Sequence, residues 1–78
     1  MIVYKNLKYL RTEKNLSYRE LERLSGISYS IIFNIEHCRI SDPSLSSIIG
    51  LSKALEIDID SFVNIDLEKQ ALKRAELK

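Results

Sequence analysis

One cysteine cannot form a bridge within its own chain, and Cys38 is the only cysteine among the 78 residues. Small secreted domains lean on disulfides, so a reducing, cytoplasmic setting is the expectation. The opening MIVYKNLKYLR has no sustained apolar segment and no small-residue cleavage site, so a secretory leader is not expected either. No apolar run approaches the length of a membrane span. The single histidine, His37, lies beside Cys38, and two adjacent ligands without a second pair do not make a zinc site. The same two residues lack the orienting group that nucleophilic catalysis requires. EIDID, at 56–60, lacks calcium-loop spacing and its terminal glutamate. The chain is therefore expected to be no enzyme, to hold no metal or cofactor, and to take no small-molecule ligand.

The length suits one small domain. Such a domain buries only about 60% of the surface its unfolded chain exposes, which leaves a marginal core. The formal net charge is +1, but it is unevenly spread. Residues 1–39 hold seven bases against four acids, and residues 40–78 hold five bases against seven acids. A basic N-terminal half is compatible with a nucleic-acid face, although on charge alone an ordinary solvated surface is the better reading.

Apolar residues recur at helical intervals almost throughout, and only ALEIDIDSFV alternates like a strand. Leu7 and Leu10 form the inner face of a first helix, which ends near Asn15. Ser17 with Glu20 is a capping box for a second helix whose Leu21 and Leu24 face inward. Gly26 breaks that helix, and Ser28 is placed to cap the next, so two helices meet across a sharp turn containing glycine. SDPS, at 41–44, starts a fourth helix with Pro43 in its first turn and an apolar set of Leu45, Ile48, Leu51, Ala54 and Leu55. Asp58 caps a short fifth helix carrying Phe62. The tail, DLEKQALKRAELK, has helix-forming composition but a faint stripe, so it is either a frayed helix or one that needs a partner. The expected fold is all-α, a compact five-helix domain over 1–65 with a charged helical tail over 66–78 as a candidate dimerisation element.

The third helix poses the functional question. In GISYSIIFNIEHC, at 26–38, one face cannot bury every apolar residue. Ile27, Ile32 and Ile35 belong to the core with Ile31 at the border, leaving Tyr29, Ser30, Phe33, Asn34 and His37 outward. Tyr29 and Phe33 are four residues apart and share a face. Three fates are open to that face: DNA, an inward fold onto Ile31 or the 38–41 loop, or a polypeptide partner.

From Leu7 to Val63 the chain resembles the phage repressor and Cro type of helix-turn-helix domain, the XRE-type regulators. The resemblance rests on LKYLRTEKNLSYREL, LERLSGIS, IIFNIE and DPSLSSIIGLSKALEIDIDSF. It implies that the second helix lies across the DNA backbone and the third enters the major groove. It further implies base readout by Tyr29, Ser30, Phe33 and Asn34. Ser17, Tyr18, Arg19, Ser28, His37 and Arg39 would then contact the backbone, and Arg11 would pair with Glu36 inside the fold.

Four positions depart from the family pattern. Glu22 stands where relatives carry alanine against the third helix, so that packing must relax or the stem must snorkel outward. Cys38 replaces a frequent glycine, so the third helix is expected to end without a left-handed cap. Tyr18 and Tyr29 replace amides, and tyrosine cannot make a bidentate adenine contact. The expected function is a sequence-specific, double-stranded-DNA-binding transcriptional regulator, a repressor acting as a homodimer on a palindromic operator. The alternative is a protein-interaction module, antitoxin- or adaptor-like, on the same scaffold, binding a partner through the aromatic face and the tail.

Overall fold

Short polar side chains set where every helix after the first begins. The computed structural model describes residues 2–76, which form α1 (Val3–Glu13), α2 (Tyr18–Ser25), α3 (Tyr29–Glu36), α4 (Leu45–Ala54), α5 (Ile59–Asn64) and α6 (Leu67–Glu76). The described residues contain no strand, so the chain is all-α with the extra C-terminal helix present. Ser17 Oγ accepts from the Glu20 amide at 3.1 Å, and Glu20 Oε1 accepts from the Ser17 amide at 3.0 Å. Ser28, Ser44 and Asp58 accept from the amides of Ile31, Ser47 and Ser61. Asp66 does the same for Lys69 and also takes the Lys5 ammonium at 2.9 Å. Amide donors hold the Glu20 and Asp58 carboxyls below the usual range, and Lys5 does so first for Asp66. Pro43 falls just before the Ser44 cap, two positions ahead of α4 and not in its first turn.

Three helices end on residues that carry a side chain into the left-handed region: Asn15 at φ 56°, Cys38 at 59° and Glu56 at 57°. Each ending folds two amides back in the Schellman pattern. After α3, Cys38 N–H donates to the Ile35 carbonyl at 3.1 Å and Arg39 N–H to the Asn34 carbonyl at 2.8 Å. The sequence-based expectation of no left-handed cap at Cys38 is therefore overturned. The closing bonds, with Ile40 packed on the core just beyond, outweigh a backbone strain of roughly 1–2 kcal/mol. Cys38→Gly and Glu56→Gly should each stabilise the fold by roughly 0.5–1 kcal/mol, the relief being partly offset by the freedom of glycine in the unfolded chain. Urea titration checks this, and Asn15→Gly should gain least because asparagine tolerates the region best.

Leu7, Leu21, Ile32, Ile35, Leu51, Leu55 and Phe62 form the centre of the core, with Val3 and Ile48 beside them. Leu10 and Ile27 pack on it partly buried. Two expected core residues lie outside: Leu24 is 57% exposed and Leu45 69% exposed. The covered stripe of α2 runs Tyr18, Leu21, Glu22, Ser25, and that of α4 runs Ser47, Ile48, Leu51, Ser52, Leu55. Leu24 and Leu45 fall off those stripes, so helical spacing and not residue type decides their fate. A Cβ on Gly50 would stand 3.0 Å from the Ser25 carbonyl and 3.2 Å from Ile27, so glycine lets α4 approach the α2–α3 turn. The start of α6 belongs to this packing, because Leu67 is buried, whereas Leu72 further along stands exposed.

Candidate nucleic-acid interface

The α2–α3 connection is short because one residue does most of the turning. Gly26 closes α2 at φ +76°, where a side chain would be strained, and its amide still donates to the Glu22 carbonyl at 2.9 Å. Ser25 Oγ accepts from the Ile27 amide at 3.1 Å, which directs Ile27 back to the core. α3 then begins at its Ser28 cap. With Ile32 and Ile35 buried, helical spacing turns Tyr29, Ser30 and His37 to the surface, with Phe33 and Asn34 half-buried beside them. Ile31 is 38% exposed, at the border between the two sets.

Beneath this face lies a charged brace. Arg11 Nε and Nη2 donate to Glu36 Oε2 and Oε1 at 2.9 and 2.8 Å, and Nη1 donates to the Leu16 carbonyl at 2.9 Å. The Tyr18 hydroxyl donates to Glu36 Oε1 at 3.1 Å, and the Arg11 guanidinium lies 4.3 Å from the centre of the Tyr18 ring. Partial burial, then the Glu36 charge, raises the Tyr18 hydroxyl above the usual phenol value. Hydrogen bonding to Glu36 likewise raises Arg11. The Tyr18 proton is thus directed into the protein.

Phe33 is neither free in solvent nor part of the core. Its ring meets Tyr18 edge-on at 5.6 Å and stacks on His37 at 3.9 Å, while Arg39 lies 5.7 Å from its centre. His37 Nδ1 stands 2.9 Å from the Phe33 carbonyl, so a proton on that nitrogen leaves Nε2 facing away from the bond. At the other end of α3, the Arg19 guanidinium covers the exposed Tyr29 ring at 4.3 Å. Ser17 and Ser28 accept cap hydrogen bonds through their hydroxyl oxygens. The face is therefore a polar and aromatic strip, with Arg19 and Arg39 at its two ends.

Glu22 carries its carboxylate outward to the exposed head of α3. It is half-buried, and its Oε2 accepts from the Tyr29 amide at 2.9 Å. Sequence signals for this contact are faint, since the partners lie seven residues apart; the departure from alanine was the one clue. Among the described residues, no three His, Cys, Asp or Glu side chains gather to hold a metal, and no helix is long and apolar enough to cross a membrane.

Two helices crossed at a left-handed glycine, the second braced from below and bare above, define a helix-turn-helix domain. The helix-turn-helix family model matches residues 7–62, and the chain belongs to that family in its XRE-type form. No curated protein and no solved structure matches it. The family is a DNA-binding one and not an enzymatic one.

Proposed function

We propose that the chain is a sequence-specific transcriptional regulator, a repressor that works as a homodimer with α3 in the major groove. The observation that carries this reading is the exposed strip on α3, rimmed by Arg19 and Arg39 and held at a fixed angle by the Arg11–Glu36 brace. Ser30 and Asn34 supply hydrogen bonds to base edges, Tyr29 and Phe33 supply apolar contact, and Arg19, Arg39 and His37 take phosphates. The described chain measures 39 × 23 × 20 Å, enough for one half-site. Two copies place their α3 helices about 34 Å apart, one turn of a palindromic operator.

Fluorescence titration onto DNA upstream of the chain's own reading frame, at several salt concentrations, tests the reading. Affinity should fall steeply as salt rises. Asn34→Ala should weaken operator binding about tenfold while leaving scrambled DNA unaffected. Equal, weak affinity for both duplexes would falsify specific readout. It would favour instead a protein-interaction module, for which Leu72 and Ala75 stand exposed on α6.

A further inference from the structure

Glu22 does more than terminate a hydrogen bond. Its carboxylate reaches from α2 to the Tyr29 amide, and Ser28 takes the Ile31 amide in the same turn. Those two acceptors occupy amides at the head of α3 and set a full negative charge at the positive end of the helix. Arg19, over the Tyr29 ring, is the cation at the same end. Glu22 Oε1 has no hydrogen-bond partner among the described residues, and an ionised carboxylate only accepts. The carboxylate lies at the Tyr29 amide, in the first turn of the helix that the proposed function puts in the groove, where Tyr29 and Ser30 are exposed.

The geometry points to Glu22 as a specificity-determining residue that accepts a hydrogen bond from the N4 amino group of a cytosine. This rests on α3 being the reading helix. In the major groove cytosine presents that donor, whereas thymine presents O4 and guanine presents N7 and O6, all acceptors. Adenine pairs its amino donor with the N7 acceptor, so it too sets a lone pair against the carboxylate. Discrimination therefore comes as much from repulsion of the other three bases as from attraction to cytosine. The tie to the Tyr29 amide removes the freedom that a long acidic side chain would otherwise lose on binding.

In vitro selection from a random duplex library, followed by titration of the selected site, tests this. The wild-type chain should select a cytosine at one position of each half-site, and replacing that cytosine by thymine should weaken binding at least about fivefold. Glu22→Gln keeps an acceptor for the Tyr29 amide, and Glu22→Ala keeps a good helix former, so both fold; circular dichroism confirms it. Both should lose the cytosine preference and bind random duplex more tightly, because one negative charge is gone. A wild-type site that loses its preferences in Asn34→Ala but keeps all of them in both Glu22 variants overturns the role of Glu22 alone. A wild-type chain that selects no site overturns the regulator reading, and this inference with it.

Discussion

Glu36→Ala should lower the unfolding free energy by about 3–5 kcal/mol, and Arg11→Ala by a similar amount, in urea titration followed by circular dichroism. The Glu36 side chain is 2% exposed and that of Arg11 17%, so whichever charge is left behind is poorly hydrated. The native pair escapes this penalty because its polar atoms are engaged. Both carboxylate oxygens receive a guanidinium nitrogen, Tyr18 adds a third donor, and the remaining Arg11 nitrogen takes the Leu16 carbonyl. A chain of 78 residues has a total stability on the order of 4–12 kcal/mol, so either single change removes much of it. Arg11→Met combined with Glu36→Leu should be more stable than either alanine variant, because no charge is then buried alone. It should stay below wild type, since the Leu16 carbonyl and Tyr18 hydroxyl lose partners at about 1–3 kcal/mol each. Strict additivity of the two single effects in a double-alanine variant would show that the pair is not coupled.

The brace also marks the boundary of what the chain reveals by itself. Arg11 and Glu36 stand 25 residues apart, and nothing in their spacing pairs them; only the family resemblance brought them together. Local devices were legible, because Ser17 with Glu20, Asp58 with Ser61 and the turn at Gly26 act within four residues. The core was legible wherever an apolar residue fell on a helix's covered stripe, as Leu21, Ile32, Ile35 and Leu51 do. Leu24 and Leu45 misled because they are leucines at the wrong angle. The outward set on α3 was readable as what the core leaves over. The lodging of Phe33 between Tyr18 and His37 was not, since it depends on how α2 crosses α3. Cys38 misled because a left-handed cap is stabilised by amides that close over it, not by the residue alone. Least visible were polar residues whose partners lie far along the chain.

Asn6 is the extreme case, and Asn6→Asp should be the more damaging of two substitutions there. Asn6 lies on the buried face of α1, fully enclosed. Its Nδ2 donates to the carbonyls of Phe62 at 2.8 Å and Ile65 at 2.6 Å, and its Oδ1 accepts from the Leu67 amide at 3.1 Å. One amide group thus satisfies the end of α5 and the start of α6, groups that neither helix can serve internally. Asn6→Ala leaves two carbonyls and an amide unpaired beside a small cavity, a loss of roughly 3 kcal/mol or more at about 1–3 kcal/mol per group. Asn6→Asp keeps the acceptor but removes both donors, and it aims a charge at two carbonyl oxygens. Burial and those oxygens would raise the pKa of the introduced carboxyl above its unfolded value. Its damage is therefore least below the unfolded pKa, where the acid is neutral in both states and still donates one hydrogen bond. It grows as pH rises and saturates above the folded pKa. Relative to Asn6→Ala, the aspartate variant should thus fare best in acid and worst at neutral pH, in chemical denaturation at a series of pH values. Amide exchange should show residues 66–76 opening before the core in both variants, because Asn6 joins α6 to the rest of the molecule. Exchange as slow as in wild type would mean that Leu67 and the Lys5–Asp66 pair hold α6 without it.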